Sequence, residues 1–162
     1  MTINDFELAQ HVGERLQQRQ MTVATAESCT GGLIGHLLTE IAGSSAYYMG
    51  GVVAYSNAVK QSLLEVPQAT LASVGAVSEE TARAMAQGVR SRLHTDVGIA
   101  TTGIAGPGGG TPHKPVGLVF IAVATPNDVQ CQRHVFGGDR RSVKQQTAVA
   151  ALQLLLDVLH LT

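Results

Sequence analysis

The sequence predicts an α/β fold, with helices packed against a five-stranded, mostly parallel sheet that has one antiparallel strand. Runs whose apolar residues recur at helical spacing alternate along the chain with short β-branched or continuously apolar runs, which is typical of α/β proteins. The chain is rich in Ala and Gly and has three Tyr, three Phe and no Trp, so Val, Ile, Leu and Ala must form most of its core. Because 162 residues suffice for one contiguous core, we expect a single domain over residues 1–162.

The first part of the chain predicts a helix, a strand and a second helix. Apolar residues four apart in "NDFELAQHVGERLQQR" predict an amphipathic helix over residues 4–19. The β-branched and small residues of "MTVATA" favour a short buried strand at about 21–26. The stretch "GGLIGHLLTEI", residues 31–41, has its apolar positions on one helix face, and Gly43 stands where a C-terminal cap belongs.

The middle of the chain continues the alternation. We expect a second strand in "AYYMGGVVAYS" and a short helix in "NAVKQSLLEV", which Pro67 ends. Ser78 opens a further helix over about 78–93, and "DVGIATTG" has the continuous apolar character of a fully buried strand. The stretch "GIAGPGGGTPHKP" is too rich in Gly and Pro to be helix or strand.

The last part of the chain predicts a hairpin and a long helix. Two strand-like runs, "VGLVFIAVAT" and "VQCQRHVFGG", are joined by the turn residues "PND", and a helix follows from Asp139, its expected N-cap, to His160. If the first three strands are parallel, right-handed crossovers place their carboxyl ends at one edge of the sheet. The Gly- and Pro-rich loop returns the chain to that edge without a helix, so the fourth strand is antiparallel and the fifth, its hairpin partner, is parallel again. The segments "AES", "AYSN", "TTG" and "GGDR" would then converge at one sheet edge, where open α/β sheets bind ligands.

Ser28 is the candidate nucleophile at this edge. A Ser before a helix is most often an N-cap, but a base within reach would activate its hydroxyl. No His is well placed, because all but His113 of the edge loop fall within a predicted strand or within or at the ends of predicted helices. Lys60 is the better candidate, provided that burial lowers its pKa, and Tyr55 could pass or orient the proton. The alternatives are a solvated Lys60 and a Tyr55 whose ring belongs to the core.

The neighbours of Ser28 have alternative roles. Cys29 is the rival nucleophile, since a helix N-terminus lowers the pKa of a thiol, but it has no evident His partner and is more typical of a small buried side chain. Glu27 could orient a substrate or serve equally as a structural anchor that accepts backbone hydrogen bonds.

The glycine-rich segments favour a single anionic group over a nucleoside triphosphate or a dinucleotide. "TTGIAGPGGGTPHKP" lacks the ending of a Walker A loop, and it leads into a strand, unlike a Rossmann fingerprint. Exposed backbone N–H groups together with Thr30, Thr102 and Arg140 would suit a phosphate or carboxylate, which Arg140 could bind bidentately. A surface turn and an exposed Arg remain the alternative.

Several classes of function and location are disfavoured. The net charge is −1 without a basic strip, so we expect no nucleic-acid partner. There is no apolar run of membrane-spanning length and no signal peptide, so we expect a soluble, cytoplasmic protein without a membrane partner. Cys29 and Cys131 form no disulfide framework, and the six His lack the short spacings of a metal site.

The motifs resemble one known family. "TAESCTGGLIGHLLTEIAGSSAYYMGGVVAYSNAVKQSLLEV", "AVSEETARAMAQGVR", "IATTGIAGPGGGTPHKPVGLVFIAVA" and "FGGDR" are similar to the CinA C-terminal domain family over nearly the whole chain. The resemblance implies a three-layer α/β/α sandwich. It also implies hydrolysis of the amide of nicotinamide mononucleotide to nicotinic acid mononucleotide and ammonia, as in the free-standing members of the family, without metal or cofactor.

The resemblance also implies roles for particular residues. Ser28 would attack the carboxamide, Lys60 would take its proton and Tyr55 would belong to the relay. Backbone N–H groups of residues 30–32 or 102–106 would stabilise the oxyanion, and Arg140 would hold the 5′-phosphate. The substrate-binding set that we predict consists of Glu27, Thr30, Gly31, Gly32, Thr102, Gly103, Gly106 and Arg140.

Other functions stay open at this point. The domain could bind a pyridine nucleotide without hydrolysing it, or act as a regulatory module, as in fused forms of the family. The expectation of one domain favours the enzyme. A homodimer is expected because small enzymes of this kind are commonly symmetric.

Overall fold

The computed structural model describes residues 3–162 and shows a mixed sheet between two layers of helices. The strands are β1 Val23–Glu27, β2 Tyr48–Val53, β3 Val97–Gly103, β4 Leu118–Ala124 and β5 Val129–Val135. The helices are α1 Ile3–Gln18, α2 Leu33–Thr39, α3 Asn57–Leu64, α4 Gln68–Ser73, α5 Glu79–Arg92 and α6 Arg140–Leu161, with a 3₁₀ turn at Ser44–Ala46.

The sheet has the strand order β2-β1-β3-β4-β5. Strand β1 is parallel to both β2 and β3, whereas β4 is antiparallel to both β3 and β5. The predicted strand directions are therefore confirmed, and β5 again runs parallel to the first three strands. The carboxyl ends of four strands consequently lie at one edge of the sheet.

The two faces of the sheet carry side chains of different size. Val and Ile residues of the strands, such as Ile99 and Ile121, pack in the core shared with α1, α2 and α6. Ala24, Ala100 and Ala122 belong to the opposite core, which includes residues of α3 and α5. Small side chains on that face let α5 approach the sheet closely, which gives the three-layer α/β/α arrangement that the resemblance implied.

The helix boundaries differ in part from the predicted ones. Helix α2 spans only Leu33–Thr39, and Gly43 precedes the 3₁₀ turn instead of capping α2. The short helix α4 was not predicted, because its six residues follow Pro67 and give too short a pattern. The N-caps of α5 and α6 follow the prediction, since Ser78 accepts from the Thr81 N–H at 3.2 Å and Asp139 from the Ser142 N–H at 2.8 Å.

Helix length and hydropathy bear on membrane insertion. Within residues 3–162, none of the helices combines the length and the apolar character that crossing a bilayer would need.

The close packing of α5 against α3 predicts a strong effect at Gly88. A Cβ on Gly88 would lie 1.9 Å from the carbonyl oxygen of Leu64, so Gly88→Ala must push backbone apart. We expect a loss of about 1–3 kcal/mol or more in the free energy of unfolding, measured by urea denaturation. Gly137→Ala is the control, because nothing lies within 4 Å of a Cβ there, and its effect should stay within about 0.5 kcal/mol. Equal effects of the two substitutions would contradict this packing.

Candidate active site

Strand β1 positions Ser28 by continuing its pairing one residue past its end. The N–H of Ser28 donates to the carbonyl of Thr101 at 3.0 Å, and the N–H of Ala54 donates to the carbonyl of Glu27 at 2.8 Å. The chain is thus fixed on both sides, to β3 and to the segment after β2. Because side chains alternate along a strand, Glu27 lies on the side of α2 and Ser28 on the side of α3.

Lys60 reaches Ser28 from the first turns of α3. That helix begins after Ser56, whose side chain accepts from the N–H of Val59 at 3.2 Å. The Nζ of Lys60 donates to the Oγ of Ser28 at 3.0 Å and to the main-chain carbonyl of Tyr55 at 3.2 Å. Lys60 is 1% exposed and Ser28 8% exposed, so the alternative of a solvated surface Lys60 is wrong.

The surroundings of Lys60 favour a neutral amine. Burial lowers the pKa of Lys60, and the nearby Cys29 opposes this shift only in part. The two groups that accept from its Nζ are a hydroxyl and a carbonyl, neither of which carries the negative charge that would hold the proton on the amine. A proton therefore leaves Lys60 more readily than it leaves an ordinary lysine.

Glu27 is the anchor of helix α2. Its Oε1 accepts from the N–H of Ile34 at 2.9 Å and from the hydroxyl of Thr30 at 2.6 Å, and its Oε2 accepts from the N–H of Gly35 at 3.0 Å. The alternative of Ser28 as the N-cap of this helix is wrong, because Gly32, at φ +103°, occupies the N-cap position and makes no side-chain hydrogen bond there. Because Glu27 accepts from the N-terminal N–H groups of α2, the hydroxyl of Ser28 is available to bond Lys60.

Two threonines of the predicted substrate-binding set use their hydroxyls internally. The Oγ1 of Thr30 bonds Thr101 at 2.8 Å in addition to Glu27, and the Oγ1 of Thr102 donates to the carbonyl of Ala76 at 2.8 Å. Their side chains therefore fix the turn and the end of β3. Thr101, which the prediction did not single out, joins both the Ser28 segment and the Thr30 hydroxyl.

Cys29 does not have the electrostatics of a nucleophile. It is 6% exposed, and burial raises the pKa of its thiol to about 12, so the lowered pKa expected for a thiol near a helix N-terminus is wrong. The thiol remains protonated at neutral pH. The structure thus favours the alternative use of Cys29 as a small buried side chain.

Tyr55 and Arg140 form a bridge across the crevice. Arg140 donates to the hydroxyl of Tyr55 at 2.9 Å and to the carbonyl of Gly106 at 2.7 Å. Tyr55 is 62% exposed, so it is not a core ring. Its main-chain carbonyl contacts Lys60, whereas its hydroxyl bonds Arg140. The structure therefore does not bring the Tyr55 hydroxyl into hydrogen bonding with the Ser28 and Lys60 pair.

Two cavities meet at Arg140, and the predicted residues divide between them. Ser28, Lys60, Thr102, Gly103 and Gly106 line a cavity of about 270 Å³. Thr30, Gly31 and Gly32 line a larger one of about 830 Å³ beside the first turn of α6. Arg140 belongs to both linings. The larger cavity includes Lys144, which sequence reasoning missed although it follows Arg140 by four residues, the spacing of one helix face.

The fold and the site together define a class of protein. It is an α/β/α sandwich with a buried Ser–Lys pair at the carboxyl edge of its sheet. The sequence profile of the CinA C-terminal domain matches residues 5–159, and the chain belongs to this family.

Relatives and solved structures agree with this membership. The chain is 54% identical over 153 residues to a CinA-like protein of Syntrophus aciditrophicus and 51% identical over 149 residues to one of Salinibacter ruber. These matches cover 94% and 92% of the chain but 36% of each relative, so the chain spans about a third of their length. The competence/damage inducible protein CihA from Agrobacterium tumefaciens superposes with a TM-score of 0.94 at 42% identity, covering 98% of this chain and 99% of that one.

The anchoring by Glu27 predicts a stability effect. Glu27→Gln keeps the shape but replaces one accepting oxygen by an amide that cannot accept, which leaves a buried donor of α2 unpaired. We expect the free energy of unfolding to fall by about 1–3 kcal/mol in urea denaturation. The exposed Glu7→Gln is the control and should change it by less than about 0.5 kcal/mol. A Glu27→Gln chain as stable as the control would contradict the anchoring role.

The buried amine predicts a pH dependence of stability. Because folding lowers the pKa of Lys60 from its ordinary value near 10.5, the unfolded chain binds more protons between the lowered pKa and 10.5. The contribution of Lys60 to stability therefore rises with pH through that window and is least favourable below it. Lys60→Met lacks this contribution, so the difference in unfolding free energy between the native chain and the variant should grow in favour of the native chain as pH rises. A difference that stays constant with pH would contradict the lowered pKa.

Proposed function

We propose that this domain hydrolyses the carboxamide of nicotinamide mononucleotide to nicotinic acid mononucleotide and ammonia, through an acyl-enzyme on Ser28. The observation that carries the proposal is the buried contact of 3.0 Å between Lys60 Nζ and Ser28 Oγ, in a crevice at the carboxyl edge of the sheet. A hydroxyl becomes an effective nucleophile when an adjacent base takes its proton, and the lowered pKa of Lys60 suits it for this role.

The proton steps follow from this contact. With a neutral amine, the Ser28 hydroxyl donates its proton to Nζ as its oxygen forms a bond to the carboxamide carbon. The ammonium of Lys60 then protonates the leaving nitrogen, the C–N bond breaks and ammonia departs. Water attacks the ester carbon and gives a proton to Lys60. The bond to Ser28 then breaks as Lys60 returns this proton to the Ser28 oxygen, and the carboxylic acid that forms loses its remaining proton to solvent and becomes the carboxylate.

Backbone N–H groups beside Ser28 would stabilise the oxyanion of the tetrahedral intermediates. The N–H of Gly31 already donates to the carbonyl of Ser28 at 3.1 Å. The N–H groups of Thr30 and Gly32 have no acceptor within residues 3–162, so they are the free donors of the 30–32 turn. Removing a single donor of this kind typically costs about 100- to 1000-fold in rate.

The two cavities suggest how a mononucleotide would lie. The pyridine ring and its amide would enter the 270 Å³ cavity of Ser28 and Lys60, and the ribose and phosphate would extend past Arg140. Gly103 also lines the smaller cavity. A Cβ on Gly103 would lie 2.7 Å from the carbonyl oxygen of Leu118, so a larger residue there would displace backbone.

A second function is a binding or regulatory module without turnover. It is favoured by the length of the relatives, in which the matching region makes up about a third of a longer chain. Such a module would bind a pyridine nucleotide in the same crevice and release no ammonia, so one assay distinguishes the two functions.

The assay is ammonia release from nicotinamide mononucleotide. We expect turnover by the native chain, and losses of about 1000-fold or more in kcat for Ser28→Ala and Lys60→Met, since each removes one half of the pair. Cys29→Ala is the matched control next to Ser28 and should stay within about tenfold of the native chain, because its thiol remains protonated.

Each outcome separates the alternatives. Undiminished turnover in Ser28→Ala would rule out Ser28 as the nucleophile. Loss of turnover in a folded Cys29→Ala would indicate that the Cys29 thiol is the nucleophile. Nucleotide binding without ammonia release from the native chain would favour the binding or regulatory module.

A further inference from the structure

The larger cavity is lined by three cationic side chains. It lies between the 30–33 turn and the first turns of α6 and contains Arg140, Arg141 and Lys144. Within residues 3–162, neither Arg141 nor Lys144 has a hydrogen bond or an ion pair with another side chain. Unpaired cations around a concavity of about 830 Å³ create a positive potential that attracts anions.

The one carboxylate among the described residues that line this cavity already accepts a hydrogen bond. Asp139, which also lines the cavity, accepts from the Ser142 N–H at 2.8 Å as the N-cap of α6. Glu40 does not line the cavity. Its Oε1 lies 3.8 Å from the Nε2 of His36, which is one of the lining residues. The cavity therefore keeps two cations, Arg141 and Lys144, that an incoming anion can contact without displacing a partner.

Lys144 lies beside the turn that follows Ser28. Its Nζ lies 3.6 Å from the position that a Cβ on Gly31 would occupy. Gly31 in turn closes a turn on Ser28 through its N–H, and such a turn keeps its end Cα atoms within about 7 Å. The thiol of Cys29, next to Ser28 in the chain, lies within the electrostatic influence of both Lys60 and Lys144.

Arg140, the predicted phosphate ligand, is less free. Its guanidinium donates to Gly106 and Tyr55, and both of these acceptors line the smaller cavity. To hold a phosphate bidentately it would have to release one or both of them. Arg141 and Lys144 need no such release.

We propose that the cavity of Arg141 and Lys144 is the subsite for a phosphate monoester group of the substrate, with Arg140 as the divider between this subsite and the amide end. The assignment rests on the proposed function for the identity of the amide end, but the subsite itself is defined by the unpaired cations. It selects a nucleoside monophosphate over the corresponding nucleoside, because the dianionic phosphate pairs with Arg141 and Lys144, two cations that have no side-chain partner within the described residues.

Binding measurements in the Ser28→Ala chain test this subsite without turnover. Calorimetric titration with nicotinamide mononucleotide and with nicotinamide riboside, which lacks the phosphate, should show tighter binding of the mononucleotide. Ribose 5-phosphate is a second probe, whose binding does not depend on any amide chemistry. Adding Lys144→Gln or Arg141→Gln should weaken both phosphorylated ligands about tenfold or more and leave the riboside within about twofold.

Arg92→Gln is the control, since this exposed cation lies in the last turn of α5, away from both cavities. The subsite is overturned if Lys144→Gln and Arg141→Gln bind ribose 5-phosphate as Arg92→Gln does, or if the mononucleotide and the riboside bind equally well. If the binding of ribose 5-phosphate depends on Lys144 while the native chain releases no ammonia from nicotinamide mononucleotide, the subsite stands and the proposed hydrolysis fails.

Discussion

The site depends on burying the Lys60 amine against Ser28 without a carboxylate to hold its proton. The Nζ is surrounded by a hydroxyl, a main-chain carbonyl and the core between α3 and the sheet, and it is almost fully inaccessible. Burial lowers the pKa of such a group because the charged form loses its hydration. The same contact therefore costs stability when the amine is charged and supplies a base when it is neutral.

Strand alternation separates two tasks that adjacent residues would otherwise share. Glu27 lies on the α2 side of β1 and satisfies the N-terminal donors of that helix. Ser28 lies on the α3 side, where Lys60 reaches it. Because a carboxylate caps α2 from the strand, the hydroxyl is free for chemistry, and the turn at 29–32 supplies backbone donors beside it.

Much of the fold was predictable from the sequence, whereas side-chain directions were not. The alternation of strands with helices favours parallel first strands, and the helix-free Gly- and Pro-rich loop predicts an antiparallel fourth, so the Ser28, Tyr55 and Thr102 segments converge. They cannot tell that the Tyr55 hydroxyl bonds Arg140 while its carbonyl faces Lys60, or that Glu27 instead of Ser28 serves α2, because these depend on rotamers set by packing. The spacing of Arg140 and Lys144 was a visible signal, but it acquires meaning only when the 30–33 turn is placed opposite α6.

The protonation state of Lys60 is the most direct test of the account. Nuclear magnetic resonance of the chain labelled with ¹³C at the lysine ε carbons follows each amine with pH, and Lys60→Met assigns the signal. We expect a midpoint for Lys60 clearly below 10.5, at the same pH as the inflection in the rate of the proposed amide hydrolysis. A Lys60 that titrates at or above its ordinary value would contradict its role as the base for Ser28.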